Sequence, residues 1–189
     1  MKIKRIEAIA VSLPMTKPVK MSFEEVRAAN NALARIETDS GIVGWGEAAS
    51  APTMTGETMA GMVAAIRYLA PLLEGMPVDD IAGVMARAEQ YLHANHAAKS
   101  VIEMALHDAL GRALGKPACA LLGGARRRRV PVLRMIGTGS TDTDIAEARN
   151  GKAAGFVAFK IKVGIAEPLA DAERTRRVCE ALGDGVLIC

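Results

Sequence analysis

Polar and apolar side chains alternate along residues 3–13, the period of a strand with one face buried, and Pro14 closes the run. Residues 15–23 mix lysine, proline and apolar residues and predict a loop. Alternation resumes over residues 31–38, Asp39-Ser40-Gly41 supplies turn chemistry, and residues 42–48 form the return strand of a hairpin. The opening segment is thus a small antiparallel meander. From Thr58 the period becomes helical: Met62, Ala65, Ile66 and Leu69 recur until Pro71. A second helix is predicted over residues 77–92, with Asp79 and Asp80 near its positive end. The third covers residues 97–114, where Ile102, Ala105, Leu106, Ala109 and Ala113 make one stripe before Gly115 and Pro117. A connector at residues 121–124 and four arginines, Arg126 to Arg129, follow.

Beyond the arginines the grammar changes. Residues 130–136, 156–164 and 185–189 read as strands, separated by helices from Asp142 or Thr143 to about Ala154 and over residues 168–182. Strand and helix in alternation with short connections predict parallel strands joined by crossovers. Two domains result, residues 1–124 and 125–189. The last residues lie inside an apolar strand with no helix to cover it. That pattern is expected of a truncated chain, or of a domain that another chain completes.

Composition narrows the function classes. Half of the 189 residues are hydrophobic, 24 % are charged and the formal charge is +3, which describes a globular chain with no default affinity for nucleic acid. No run of about 18 apolar residues offers a membrane span, and the alternating N-terminus lacks the apolar core of a signal peptide. Cys119, Cys179 and Cys189 form neither a CxxC pair nor a Cys/His cluster, so a reduced, cytoplasmic setting is expected.

The segment Phe159-Lys160-Ile161-Lys162-Val163-Gly164 carries the chemistry. In a strand, side chains at i and i+2 share a face, so Lys160 and Lys162 point together while Phe159, Ile161 and Val163 point away. Like charge and partial burial favour the neutral amine, which turns one lysine into a base near neutral pH. The other then stabilises a carboxylate or enolate oxygen. Periodicity alone fits a solvent-facing edge strand equally well, because edge strands often carry lysine.

Several segments together decide between the two. The opening Lys2-Ile3-Lys4-Arg5-Ile6-Glu7, the run from Thr38 to Ala48 containing Gly44-Trp45-Gly46-Glu47, the run from Ala98 to Ala109, Leu121-Leu122-Gly123-Gly124 and the paired-lysine strand occur in order. In these the chain resembles the N-terminal part of the mandelate racemase/muconate lactonizing branch of the enolase superfamily, closest to its muconate lactonizing-like group. The resemblance implies an α+β capping domain, meander plus helices, followed by the first βα units of an α/β TIM-type barrel. It implies metal-assisted removal of the hydrogen α to a carboxylate, with Lys162 as base and Lys160 neutralising the carboxylate. Loops carrying Met21 and Phe23, and Met54 and Thr55, would close over a small carboxylate substrate and select it. The loop from Thr53 to Thr58 favours epimerisation of amino-acid derivatives or dipeptides over cycloisomerisation or dehydration. A homo-oligomer is expected.

The same resemblance implies Mg²⁺ held by acids on the third, fourth and fifth barrel strands, beyond this sequence. Asp184 lies in a turn before a strand, and Asp171 and Glu173 lie on a helix, so no acid here replaces them. The chain alone is therefore expected to be inactive. The rival reading is a non-catalytic, associating fragment. Lesser features take ordinary readings: Glu103 and His107, one turn apart, form a helix face rather than a metal pair, and the arginine run is a solvated connector.

Overall fold

The computed structural model describes residues 1–20, 25–164 and 166–189. It divides into two compact units, Met1–Lys17 with Arg27–Arg126, and Pro18–Val26 with Arg127–Cys189.

Strands β1 (Ile3–Lys20), β2 (Glu25–Thr38) and β3 (Val43–Ala49) form one sheet in that order, the greater part of which belongs to the first unit. Strands β2 and β3 run antiparallel, with Leu33 opposite Glu47 and Arg35 opposite Trp45. Ala32, Ala34, Ile36 and Thr38 are buried in alternation, as the pattern predicts. Gly41, at φ 81°, allows the turn between β2 and β3, where Thr38 Oγ1 both accepts from Ile42 N and donates to its carbonyl.

Two sequence expectations fail here. The first strand does not stop at Pro14 and residues 15–20 are not a loop: β1 runs on to Lys20, and β2 begins at Glu25 instead of Asn31. Among the described strands β1 is at the edge of its sheet, and an edge strand tolerates the missing N–H of Pro14 and Pro18.

Helices α1 (Met59–Leu73), α2 (Ile81–Tyr91) and α3 (His96–Leu114) cover the sheet with one aliphatic core. Thr58 Oγ1 caps α1 by accepting from Gly61 N at 3.1 Å, and Asp80 caps α2 through Gly83 N at 3.0 Å. Pro77, expected to open α2, instead bridges Lys2 beside β1. Helix α3 rests almost directly on β3. A Cβ built on Gly44 would lie 2.1 Å from Ala105 O, and one on Gly46 would lie 1.9 Å from Val101 O. The two glycines, on the inner face of β3, let the helix backbone touch the sheet. Buried Lys99 on α3 pairs with Glu89 on α2 and donates to Leu92 O at 3.3 Å. A short α4 (Ala118–Leu121) ends where the predicted connector begins.

The second unit holds β4 (Leu133–Ile136), β5 (Ala158–Ile161) and β6 (Leu187–Ile188) in a parallel sheet of that order. Helices α5 (Thr141–Ala153) and α6 (Pro168–Leu182) connect them. Ile136, Phe159 and Ile161 from the strands pack with Ala148 of α5 and Val178 and Leu182 of α6. Strand β5 is shorter than the alternation over residues 156–164 predicts. No described helix is long and apolar enough to cross a membrane.

Candidate active site

Lys160 in strand β5 and Lys162 just after it flank Ile161, the last residue of the strand. Exposure alternates along it: Phe159 and Ile161 are buried under the helices, Lys160 is exposed and Lys162 is half-buried. Lys160 thus lies on the sheet face away from α5 and α6, with Met135 as its cross-strand neighbour. Lys162 falls one residue past the strand, yet its N–H still donates to Ile136 O at 2.8 Å and prolongs the ladder. Its aliphatic stem lies against Gly137, where an added Cβ would come 2.6 Å from Lys162 Cβ and 3.4 Å from its Cδ.

Beneath this end of the sheet is a buried ionic cluster. Arg174 of α6 is 3 % exposed, Asp144 of α5 is 0 % exposed and Asp171 of α6 is 4 % exposed. The guanidinium pairs with Asp144 Oδ2 and with Asp171 Oδ1, the latter at 3.0 Å. Its remaining reach is spent on the main chain: Arg174 Nη2 donates to Lys162 O at 2.6 Å. Asp144 Oδ1 accepts from the N–H and hydroxyl of Thr138, at 2.8 and 2.7 Å, just after β4. Asp171 Oδ2 accepts from Gly164 N at 2.7 Å and Ala166 N at 3.3 Å, just after β5. Both acids occupy the first turn of their helices, where the helix dipole favours negative charge. The turns that follow two neighbouring strands are therefore tied to one arginine.

Met54 and Thr55 lie in the first unit, in the turn between β3 and α1. Met54 is 74 % exposed. Thr55 Oγ1 donates to Ala51 O at 3.2 Å, and Met54 N donates to the same carbonyl at 3.0 Å, so the turn closes on itself. Glu57 anchors it by accepting from Ala97 N, at 2.9 and 3.2 Å, at the start of α3. Met21 and Phe23 lie outside the described residues.

Among the described residues no three His, Cys, Asp or Glu side chains gather closely enough to hold an ion. The two buried acids near the lysines are committed to Arg174. Asp184 is exposed and gives its carbonyl to Lys152. His107 Nδ1 engages Glu103 O along α3, an intrahelical contact. The arginines from Arg126 to Arg129 are exposed outside any regular element, and the three cysteines are free thiols.

Sequence reading singled out the lysines but not Gly137, Asp144 or Arg174. The available signal was an acid in the first turn of each helix that follows a strand.

Comparison with known proteins supplies the context. Residues 5–123 match the family model described as mandelate racemase / muconate lactonizing enzyme, N-terminal domain. The L-Ala-D/L-Glu epimerase of Bacillus subtilis is 34 % identical over 187 residues, covering 98 % of this chain and 51 % of the relative. A chloromuconate cycloisomerase of Pseudomonas putida is also 34 % identical, covering 97 % of this chain and 50 % of its own length. A muconate lactonizing enzyme of Pseudomonas fluorescens, solved with muconolactone, superimposes with a TM-score of 0.93 at 35 % identity, over 99 % of this chain and 52 % of that one. The chain spans about half the length of the curated relatives it matches.

Proposed function

Because the chain belongs to the mandelate racemase/muconate lactonizing enzyme family and opens with that family's N-terminal capping domain, we propose that it forms the first half of an isomerase acting on a small carboxylate. Lys162 is the base. Its Nζ takes the hydrogen α to the carboxylate; the C–H electron pair stays on carbon, delocalised into the carboxylate oxygens. Return of a proton from the opposite side gives the epimer. Lys160, on the same sheet face, offsets the negative charge that develops on those oxygens. The observation that carries this reading is the half-buried Lys162 at the C-terminal end of a parallel strand, held by its own backbone bonds.

Dipeptide or amino-acid epimerisation is the favoured reaction, in keeping with the epimerase relative. Met21, Phe23, Met54 and Thr55 select the substrate. The complete enzyme uses Mg²⁺, as its family implies, and no side chain of this chain is assigned to that ion.

The test is wash-in of deuterium at the α-carbon of L-Ala-L-Glu and L-Ala-D-Glu in D₂O with Mg²⁺, followed by proton NMR. A complete enzyme carrying these residues exchanges both, and Lys162→Ala abolishes exchange from one of them. The 189-residue chain alone exchanges neither. Exchange retained from both epimers in Lys162→Ala removes that lysine from the base role.

A further inference from the structure

Lys162 is fixed from three directions, none of which involves a substrate. Its N–H is held by Ile136 of β4 and its C=O by Arg174 of α6. Its stem lies across the bare Cα of Gly137. Arg174 has no route to solvent and spends its charge on Asp144 and Asp171, whose other oxygens hold the turns after β4 and β5. An arginine suits this place because its planar fork reaches two carboxylates and a carbonyl at once, which a lysine ammonium at the end of a single stem does not.

We infer that Gly137 and Arg174 are positioning residues for Lys162: Gly137 leaves the space its stem occupies, and Arg174 fixes the peptide from which that stem springs. This rests on the reading of Lys162 as the base. A base must stand within hydrogen-bond reach of the proton it takes, and a displacement of about 1 Å from outside the site costs ~10²-fold in rate. Gly137→Ala places a methyl group 2.6 Å from Lys162 Cβ, so the stem must move. Arg174→Lys keeps the charge opposite Asp144 and Asp171 and spares the core an unpaired carboxylate, but it releases the Lys162 carbonyl.

Two measurements decide the matter. In the complete enzyme, each variant is expected to slow α-deuteration of the Ala-Glu epimer that depends on Lys162 by about 10²-fold, with KM altered less than about threefold. Exchange of the other epimer, served by a base on the opposite side, stays within about threefold of wild type. Equal losses on both epimers mean general damage to the fold and overturn the inference, as does no loss on either. The second measurement needs no substrate. In the 189-residue chain, amide hydrogen exchange at Lys162 in Arg174→Lys is expected to quicken at least about tenfold relative to that at Ile161. In Gly137→Ala the side-chain carbon resonances of Lys162 shift while those of Lys160 do not. An unchanged Lys162 amide together with unchanged resonances overturns the positioning roles, whatever the substrate. If Lys162→Ala retains exchange from both epimers, the base assignment falls, and the second measurement still decides what holds Lys162.

Discussion

Gly46→Ala is a small change with a large expected effect in the first unit. The new methyl carbon would sit 1.9 Å from Val101 O, whereas a carbon and a carbonyl oxygen meet at about 3.3 Å. Helix α3 must therefore retreat from β3 by roughly 1.4 Å, the difference between those two distances. The buried residues of the helix, among them Val101, Ile102, Ala105, Leu106 and Ala109, move with it. A radial gap of about 1 Å already forfeits a quarter to a half of each dispersion contact. Overpacking of this kind costs about 3 kcal/mol, a large share of the ~5–15 kcal/mol that holds a domain together. Urea unfolding followed by far-UV circular dichroism measures it. The midpoint is expected to fall with the slope unchanged, and Gly44→Ala, 2.1 Å from Ala105 O, should behave alike. A shift below about 0.5 kcal/mol for either variant would refute the close seating of α3 on the sheet.

Other outcomes follow from local contacts. Thr58→Ala removes the side-chain acceptor for Gly61 N and should destabilise the first unit by about 1 kcal/mol in the same assay, with Thr58→Ser close to wild type. The hydrogen bond from Lys99, with its positive charge, lowers the Glu89 carboxyl below the usual carboxylate range against the opposing effect of desolvation. A depressed carboxylate stabilises the fold above its unfolded pKa, about 4.3, and that stability is lost as the pH falls through the folded value. The melting temperature of wild type should therefore drop more steeply than that of Glu89→Gln as pH is lowered through and below about 4, and parallel curves would dissociate Glu89 from this tie.

Much of this architecture is legible in order of side chains, and the exceptions have physical causes. The two-residue period of β2 and the helical period from Thr58 register directly, because each follows from which neighbours share a face. Pro14 misleads because its meaning depends on the strand's place in the sheet: only an edge such as β1 absorbs it. Strand β5 is overestimated because Val163 and Gly164 continue the alternation after the ladder has ended. The lysines of the candidate site stand out only together with the other motifs of the chain, because their alternation alone fits a solvent-facing edge strand equally well. Gly137 and Arg174 do not stand out. Arg174 meets Asp144 across 30 residues of sequence, and Gly137 matters through a stem 25 positions away. Such partners become visible only when the chain is folded.

The strict alternation between Phe159 and Lys162 gives β5 a reading frame. A single residue inserted between Phe159 and Lys160 would put the lysines out of phase with Phe159: with Phe159 kept in the core, both ammonium groups would turn towards Val178 and Leu182. Substitutions along this strand can be absorbed one at a time, whereas a change in its length by one cannot. Lineages descended from this sequence should therefore accumulate their insertions in the turns, and leave the spacing from Phe159 to Lys162 intact.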